Sequence, residues 1–113
     1  MAHAYAPYSG FKVGAAALGA SGRVYSGCNV ENASYGLSVC AERVAIFKAL
    51  SEGETEIKGV AIANSSGKSA FPCGACRQVM AEFASDDMEI YLVSDEGVQD
   101  YTLADLLPHA FKL

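Results

Sequence analysis

Cys40-Ala41-Glu42-Arg43 and Pro72-Cys73-Gly74-Ala75-Cys76-Arg77-Gln78 hold the residue types in this chain best suited to chemistry. Together they supply three thiols, a carboxylate and an arginine. Three thiolates fill three corners of a tetrahedral zinc ion and leave the fourth open, which is the mark of a catalytic rather than a structural site. Glu42, two residues after Cys40, stands where a proton carrier is needed. Both stretches open expected helices, and a cysteine at a helix N-terminus ionises readily because the helix dipole favours the thiolate. Three thiolates set three negative charges against two positive ones on zinc, and that excess weakens the metal's power to acidify water. Arg43 can hydrogen-bond the thiolates and offset the excess.

Other readings compete with this one. A lone C-x-x-C is also found in redox pairs and zinc knuckles, or arises by coincidence. A redox pair leaves Cys40-Ala41-Glu42 without a purpose. A structural zinc needs a fourth ligand, for which Cys28 and His3 are the nearby candidates. Cys28 reads as a small buried hydrophobe in a packed strand. His3 and His109 have no ligand-like neighbours. Glu42 could be an ordinary first-turn glutamate, and Arg43 a solvated helix residue.

Elements able to position these groups can be read along the chain. Phe11 to Leu18 and Arg23 to Cys28 form an expected hairpin around a Gly/Ser loop. Asn29 to Ser38 is a polar loop. Val39 to about Ser51 is a helix whose Val44, Ile46, Phe47 and Leu50 are expected to face the core. Lys58 to Asn64 is a near-continuous apolar run, expected as a strand buried on both faces. Cys73 to Phe83 is a second helix, Met88 to Val93 a strand, and Val98 to Tyr101 a short strand. Thr102 to Asp105 opens a short helix with an N-cap pattern, and Pro108 ends it. The fold class is α/β, with one mixed five-stranded sheet and helices packed on it. Ligands in such folds gather beyond strand ends, where both cysteine helices begin.

Composition narrows the function. A chain of 113 residues is one domain, long enough to fold without disulfides. The net charge of −5 argues against nucleic acid, which needs a basic surface, and leaves a small uncharged substrate open. No apolar run reaches the roughly 18–20 residues that cross a membrane. The opening Met1-Ala2-His3-Ala4-Tyr5 lacks the pattern of a signal peptide. The expectation is a cytoplasmic protein that uses its cysteines as thiols or metal ligands.

The thiol-and-glutamate arrangement, in its three-cysteine form, is a signature of zinc nucleobase deaminases. More specifically, the chain resembles the small homotetrameric cytidine deaminases. The resemblance runs through Tyr5-Ala6-Pro7-Tyr8-Ser9, Phe11-Lys12-Val13-Gly14-Ala15-Ala16, Gly27-Cys28-Asn29-Val30-Glu31-Asn32-Ala33-Ser34-Tyr35 and both cysteine stretches to Leu106-Leu107-Pro108-His109-Ala110-Phe111. It implies a three-layer fold, a single domain over 1–113 with the family's N-terminal helix absent or reduced, and one Zn2+ per chain on Cys40, Cys73 and Cys76. Glu42 would shuttle protons, with Arg43 beside the ligands. Asn29 and Glu31 would bind the ribose, Phe11 would pack on the base, and the Ala41 amide would meet the pyrimidine carbonyl. Tyr35 and Phe111 would reach a neighbouring subunit's site in a homotetramer. The implied reaction is hydrolytic deamination of cytidine and deoxycytidine in pyrimidine salvage. Phe71 stands where the family often has a small hydroxyl residue, which leaves N4-substituted cytidines or cytosine-nucleoside antibiotics as alternative substrates. A nucleic-acid-editing deaminase and a non-catalytic zinc module are further rivals, disfavoured by the acidic charge and by Glu42 respectively.

Overall fold

A computed structural model describes residues 1–112 of the chain. The elements follow as β1 (Val13–Gly19), β2 (Val24–Cys28), α1 (Ala41–Ser51), β3 (Ile57–Asn64), α2 (Gly74–Phe83), β4 (Glu89–Ser94), β5 (Gly97–Thr102) and α3 (Leu103–Leu106). This is the order expected from the sequence, with a short 3-10 turn, Tyr35–Leu37, inside the polar loop. The five strands make one mixed sheet in the order β2-β1-β3-β4-β5. β1 is antiparallel to both neighbours, β3 runs parallel to β4, and β5 is antiparallel to β4.

That topology decides where the site lies. β2 and β3 run in the same direction on either side of β1. They end together, with Cys28 paired to Gly14 and Asn64 to Val13. The chain therefore leaves both strands at the same end of the sheet, towards α1 after β2 and towards α2 after β3. The residues that lead into β1 arrive between them. Phe11, Asn29, Cys40 and Cys73, far apart in sequence, are thus delivered to one place.

One face of the sheet is packed. Ala15, Ala17, Tyr25, Val60, Ile62, Ile90 and Leu92 join Ala45 and Ile46 of α1, Cys76 and Met80 of α2 and Leu103 of α3 in one core. Fully burying a side chain such as Ile46 or Met80 contributes roughly 1.5–3 kcal/mol. α1 uses only part of the face expected from its large apolar residues. Ala41, Glu42, Ala45, Ile46 and Ala49 are buried, whereas Phe47 is 46% exposed and Val44 and Leu50 only partly covered. Close approach is the reason. A Cβ placed on Gly27 of β2 would come within 2.6 Å of the Ala45 nitrogen and 2.9 Å of the Ala41 carbonyl oxygen. A helix lying so near a strand can present only small side chains to it.

β3 also departs from expectation, being buried on one face rather than two. Val60 and Ile62 lie in the core, while Ala61 and Ala63 are half-covered on the other side. This second face, with Gly14, Ala16, Ser26, Ala61, Ala63 and Val93, forms a shallow hollow beside Met1. It is where the resemblance puts a further layer. Among the described residues Met1 lies against it, its Cγ 2.9 Å from where a Gly14 Cβ would stand. At the chain's far end a capping box holds α3. Thr102 Oγ1 accepts from the Asp105 amide at 3.2 Å, and the Thr102 amide donates to Asp105 Oδ2 at 2.9 Å.

Candidate active site

Cys40 is the N-cap of α1 and Cys73 the N-cap of α2. Both helices therefore aim free amides and the positive end of their dipoles at the same spot. Cys73 Sγ already accepts from the Cys76 amide at 3.5 Å. The sulfurs of Cys40 and Cys73 lie 3.6 Å apart, and those of Cys73 and Cys76 3.4 Å. Zinc–sulfur bonds of about 2.3 Å in tetrahedral geometry place ligand sulfurs about 3.8 Å apart, so the cluster is already close to a zinc cradle. These three thiols are the described residues grouped for a metal, and Cys28, His3 and His109 lie outside the group.

The electrostatics fit a cation. Hydrogen bonding from Cys76 draws the Cys40 thiol down to about 5 against the opposing effect of burial, helped by Arg43 and Cys73. The Cys76 thiol moves up, because it donates to Cys40 and is buried. A divalent ion held by the three sulfurs would bind them as thiolates and displace their protons. Arg43 Nη2 donates to Cys40 Sγ at 3.6 Å, while the buried Arg43 Nε has no partner among the described residues. A guanidinium turned towards the sulfurs with a donor in hand suits a cluster that gains negative charge when it binds zinc. Glu42 is only 4% exposed, and burial pushes its carboxyl above the ordinary range.

A cavity of about 300 Å³ opens beside the thiols. Cys40, Cys73, Glu42 and Ala41 line it together with Phe11, Asn29 and Glu31. The structure thus brings together the expected metal, proton-carrying and substrate positions. Three residues of that set stand outside the cavity lining: Cys76, buried behind the other two thiols, Tyr35, 80% exposed on the 3-10 turn, and Phe111, 71% exposed near the C-terminus. Asn29 and Glu31 are more heavily engaged than a polar loop suggests. Asn29 Oδ1 accepts from the Val13 amide at 2.9 Å, and its Nδ2 donates to the Phe11 carbonyl at 2.8 Å. Glu31 Oε1 accepts from the amides of Tyr8 and Ser9 at 3.0 and 3.2 Å, and Oε2 from the Ser9 hydroxyl. Those bonds, that from the Ser9 hydroxyl foremost, hold the Glu31 carboxyl below the usual range.

Other residues shape the site, among which Phe71 alone was singled out from sequence. Phe71 lines the cavity with its ring tilted on Tyr101, centroids 5.2 Å apart. Arg77 Nε donates to the Pro72 carbonyl at 2.8 Å and Nη1 to that of Leu106 at 2.7 Å. The loop that delivers Cys73 is thereby tied to the C-terminal segment. Gln78 Nε2 extends the tie to the Phe111 carbonyl at 2.8 Å. The adjacency of Arg77 and Gln78 to Cys76 was visible in the sequence, but their long-range partners were not.

A mixed sheet that gathers three thiols and a buried glutamate at two helix starts, beside a cavity of small-molecule size, defines a zinc-dependent enzyme of the deaminase type. Residues 1–92 match the family model described as the cytidine and deoxycytidylate deaminase zinc-binding region. A cytidine deaminase of Halalkalibacterium halodurans is 51% identical over 109 residues, covering 96% of this chain and 83% of the relative. One of Sporosarcina psychrophila is 49% identical, covering 96% and 80%. The crystal structure of cytidine deaminase from Burkholderia pseudomallei superposes with a TM-score of 0.91 at 48% identity, covering 97% of this chain and 89% of that one. The chain belongs to the cytidine and deoxycytidylate deaminase family.

Proposed function

We propose that this protein hydrolyses cytidine and deoxycytidine to uridine and deoxyuridine with release of ammonia. The observation that carries the reading is a single cavity that joins a three-thiol zinc cradle and a buried carboxylate to an aromatic ring and a polar wall. Cys40, Cys73 and Cys76 would hold one Zn2+. When bound, zinc supplies the Lewis acidity that makes water nucleophilic near neutral pH. Glu42 takes a proton from the attacking water as its oxygen adds to C4 of the cytosine ring. It passes that proton to N3, then takes the remaining proton from the C4 hydroxyl and delivers it to the departing amine, so that water is consumed and ammonia leaves. Its burial suits a group that must both accept and return a proton. The Ala41 amide, at the free N-terminus of α1, faces the pyrimidine carbonyl oxygen. Phe11 packs on the base, and Asn29 and Glu31 form the wall against the sugar. Arg43 balances the charge of the sulfurs.

The working form is a homotetramer of single-domain chains, in which Tyr35 and Phe111 complete a neighbour's cavity. The exposure of Tyr35, Leu37, Phe47 and Phe111, at 80, 68, 46 and 71%, supports the assembly, since large apolar side chains in such numbers mark contact surfaces. A centre built from three reduced thiols suits the cytoplasm, and the reaction suits pyrimidine salvage. The test follows ultraviolet loss of cytidine and deoxycytidine by the purified protein, with and without a strong chelator, and again after zinc is restored. Turnover that vanishes with chelation and returns with zinc is the expected result. A zinc-loaded protein that leaves both nucleosides intact refutes the reading.

A further inference from the structure

Phe11 stands just before β1, outside the regular ladder, yet its backbone is fully engaged. The Phe11 amide donates to Ser9 Oγ at 3.0 Å, and its carbonyl accepts from Asn29 Nδ2 at 2.8 Å. The Lys12 amide donates to Ser65 Oγ at 3.0 Å, and its carbonyl accepts from the Ser65 amide at 2.8 Å. Val13 donates to Asn29 Oδ1 at 2.9 Å and accepts from the Asn29 amide at 3.2 Å. All the backbone polar groups of these three residues are thus held by just three others, Ser9, Asn29 and Ser65. Side chains act here as a sheet neighbour does elsewhere. The ring of Phe11 remains 39% exposed in the cavity. A side chain held this way is pre-organised, which lowers the entropy lost when a ligand settles on it.

Ser9 holds a special place in this network. Its hydroxyl has one proton, and that proton goes to Glu31 Oε2. The oxygen is then left to accept from the Phe11 amide. One hydroxyl therefore joins the carboxylate on one wall to the aromatic ring on another. It makes no hydrogen bond to the thiols or to Glu42.

We propose that Ser9 is a positioning residue for nucleoside binding: it sets the carboxylate of Glu31 and the ring of Phe11 as a unit, and so governs KM rather than kcat. The proposal rests on the reading of the cavity as a nucleoside site. Ser9→Ala removes both hydrogen bonds, whereas Ser9→Thr keeps a hydroxyl that can make them. Steady-state kinetics with cytidine are measured on the zinc-loaded wild type and both variants, with zinc content and melting temperature as controls. Ser9→Ala is expected to raise KM roughly tenfold with kcat within about twofold, the pattern of lost uniform binding. Ser9→Thr is expected to return KM to within about threefold of wild type. Amide exchange in the unaltered protein gives a second measurement that needs no variant: the Phe11 amide is expected to be protected like a strand amide. An unchanged KM in Ser9→Ala, a loss carried by kcat alone, a Ser9→Thr variant as impaired as Ser9→Ala, or a Phe11 amide exchanging like an open loop overturns the proposal. A zinc-loaded wild type without turnover instead strikes the underlying reading, so the two failures are distinguishable.

Discussion

At the scale of single residues, Glu42 carries the sharpest expectation. Glu42→Gln keeps size and burial but cannot ferry protons. Turnover should fall by at least about 10²–10⁴-fold while zinc content and melting temperature stay near wild type. A zinc-replete variant with near-normal kcat removes Glu42 from the chemistry. Asn29 separates binding from architecture. Asn29→Asp keeps an acceptor for the Val13 amide but turns a carboxylate oxygen on the Phe11 carbonyl, where Nδ2 donates at 2.8 Å. The lost bond and the repulsion should cost roughly 1–3 kcal/mol in stability, together with a raised KM. Calorimetry beside kinetics checks both, and an unaltered melting curve contradicts the clamp. The three-thiol cluster and the glutamate beside it were legible in the sequence because such motifs are local: C-A-E and C-x-x-C each fall within four residues. The partners of Asn29 and Ser9 were not, because they depend on which strand ends meet.

At the scale of elements, the seat of α1 on β2 matters most. Gly27 leaves no room for a methyl group beneath Ala41 and Ala45. Gly27→Ala must lift the helix that bears Cys40 and Glu42, at a cost of roughly 1–3 kcal/mol. Weaker zinc retention should accompany the lower melting temperature, as chelator titration would reveal. The buried alanine face of α1 was hidden from periodicity because a glycine in another element selects it. The β1–β2 hairpin offers a test by pH. Glu54 accepts from the hydroxyls of Ser21 and Tyr25, and those bonds, Ser21's foremost, hold its carboxyl below the ordinary range. Its stabilising share is therefore full above the ordinary glutamate pKa and fades as pH falls through the lowered one. Glu54→Gln should melt earlier than wild type at neutral pH, and the gap should close in acid. A gap that stays constant with pH assigns the loss to packing instead.

At the scale of the whole molecule, the assembly is the open quantity. Light scattering should give a tetramer, and Tyr35→Ala with Phe111→Ala should impair turnover while leaving zinc bound. A fully active monomer overturns the shared-site reading. The element order, mixed sheet and cysteine cradle could all be read from one chain, because each follows from local pattern and short connections. The sheet face beside Met1 could be anticipated only through the resemblance, which puts a helix over it; the strands themselves do not tell, since an alanine-rich strand looks the same whether a layer lies on it or not.

The sulfurs of Cys40 and Cys73 lie 3.6 Å apart across 33 residues of chain. Zinc bound there would be a cross-link as well as a reagent. It closes a loop that contains α1 and β3, and so reduces the freedom of the unfolded chain much as a covalent bridge would. The ladders of the sheet do not run through that bond, and the core reaches it only through Cys76 and Cys40. Stripping the metal should therefore leave a folded protein that melts earlier, with its first loosening at the starts of α1 and α2. The same ion that makes the chemistry possible would set the order in which the molecule comes apart.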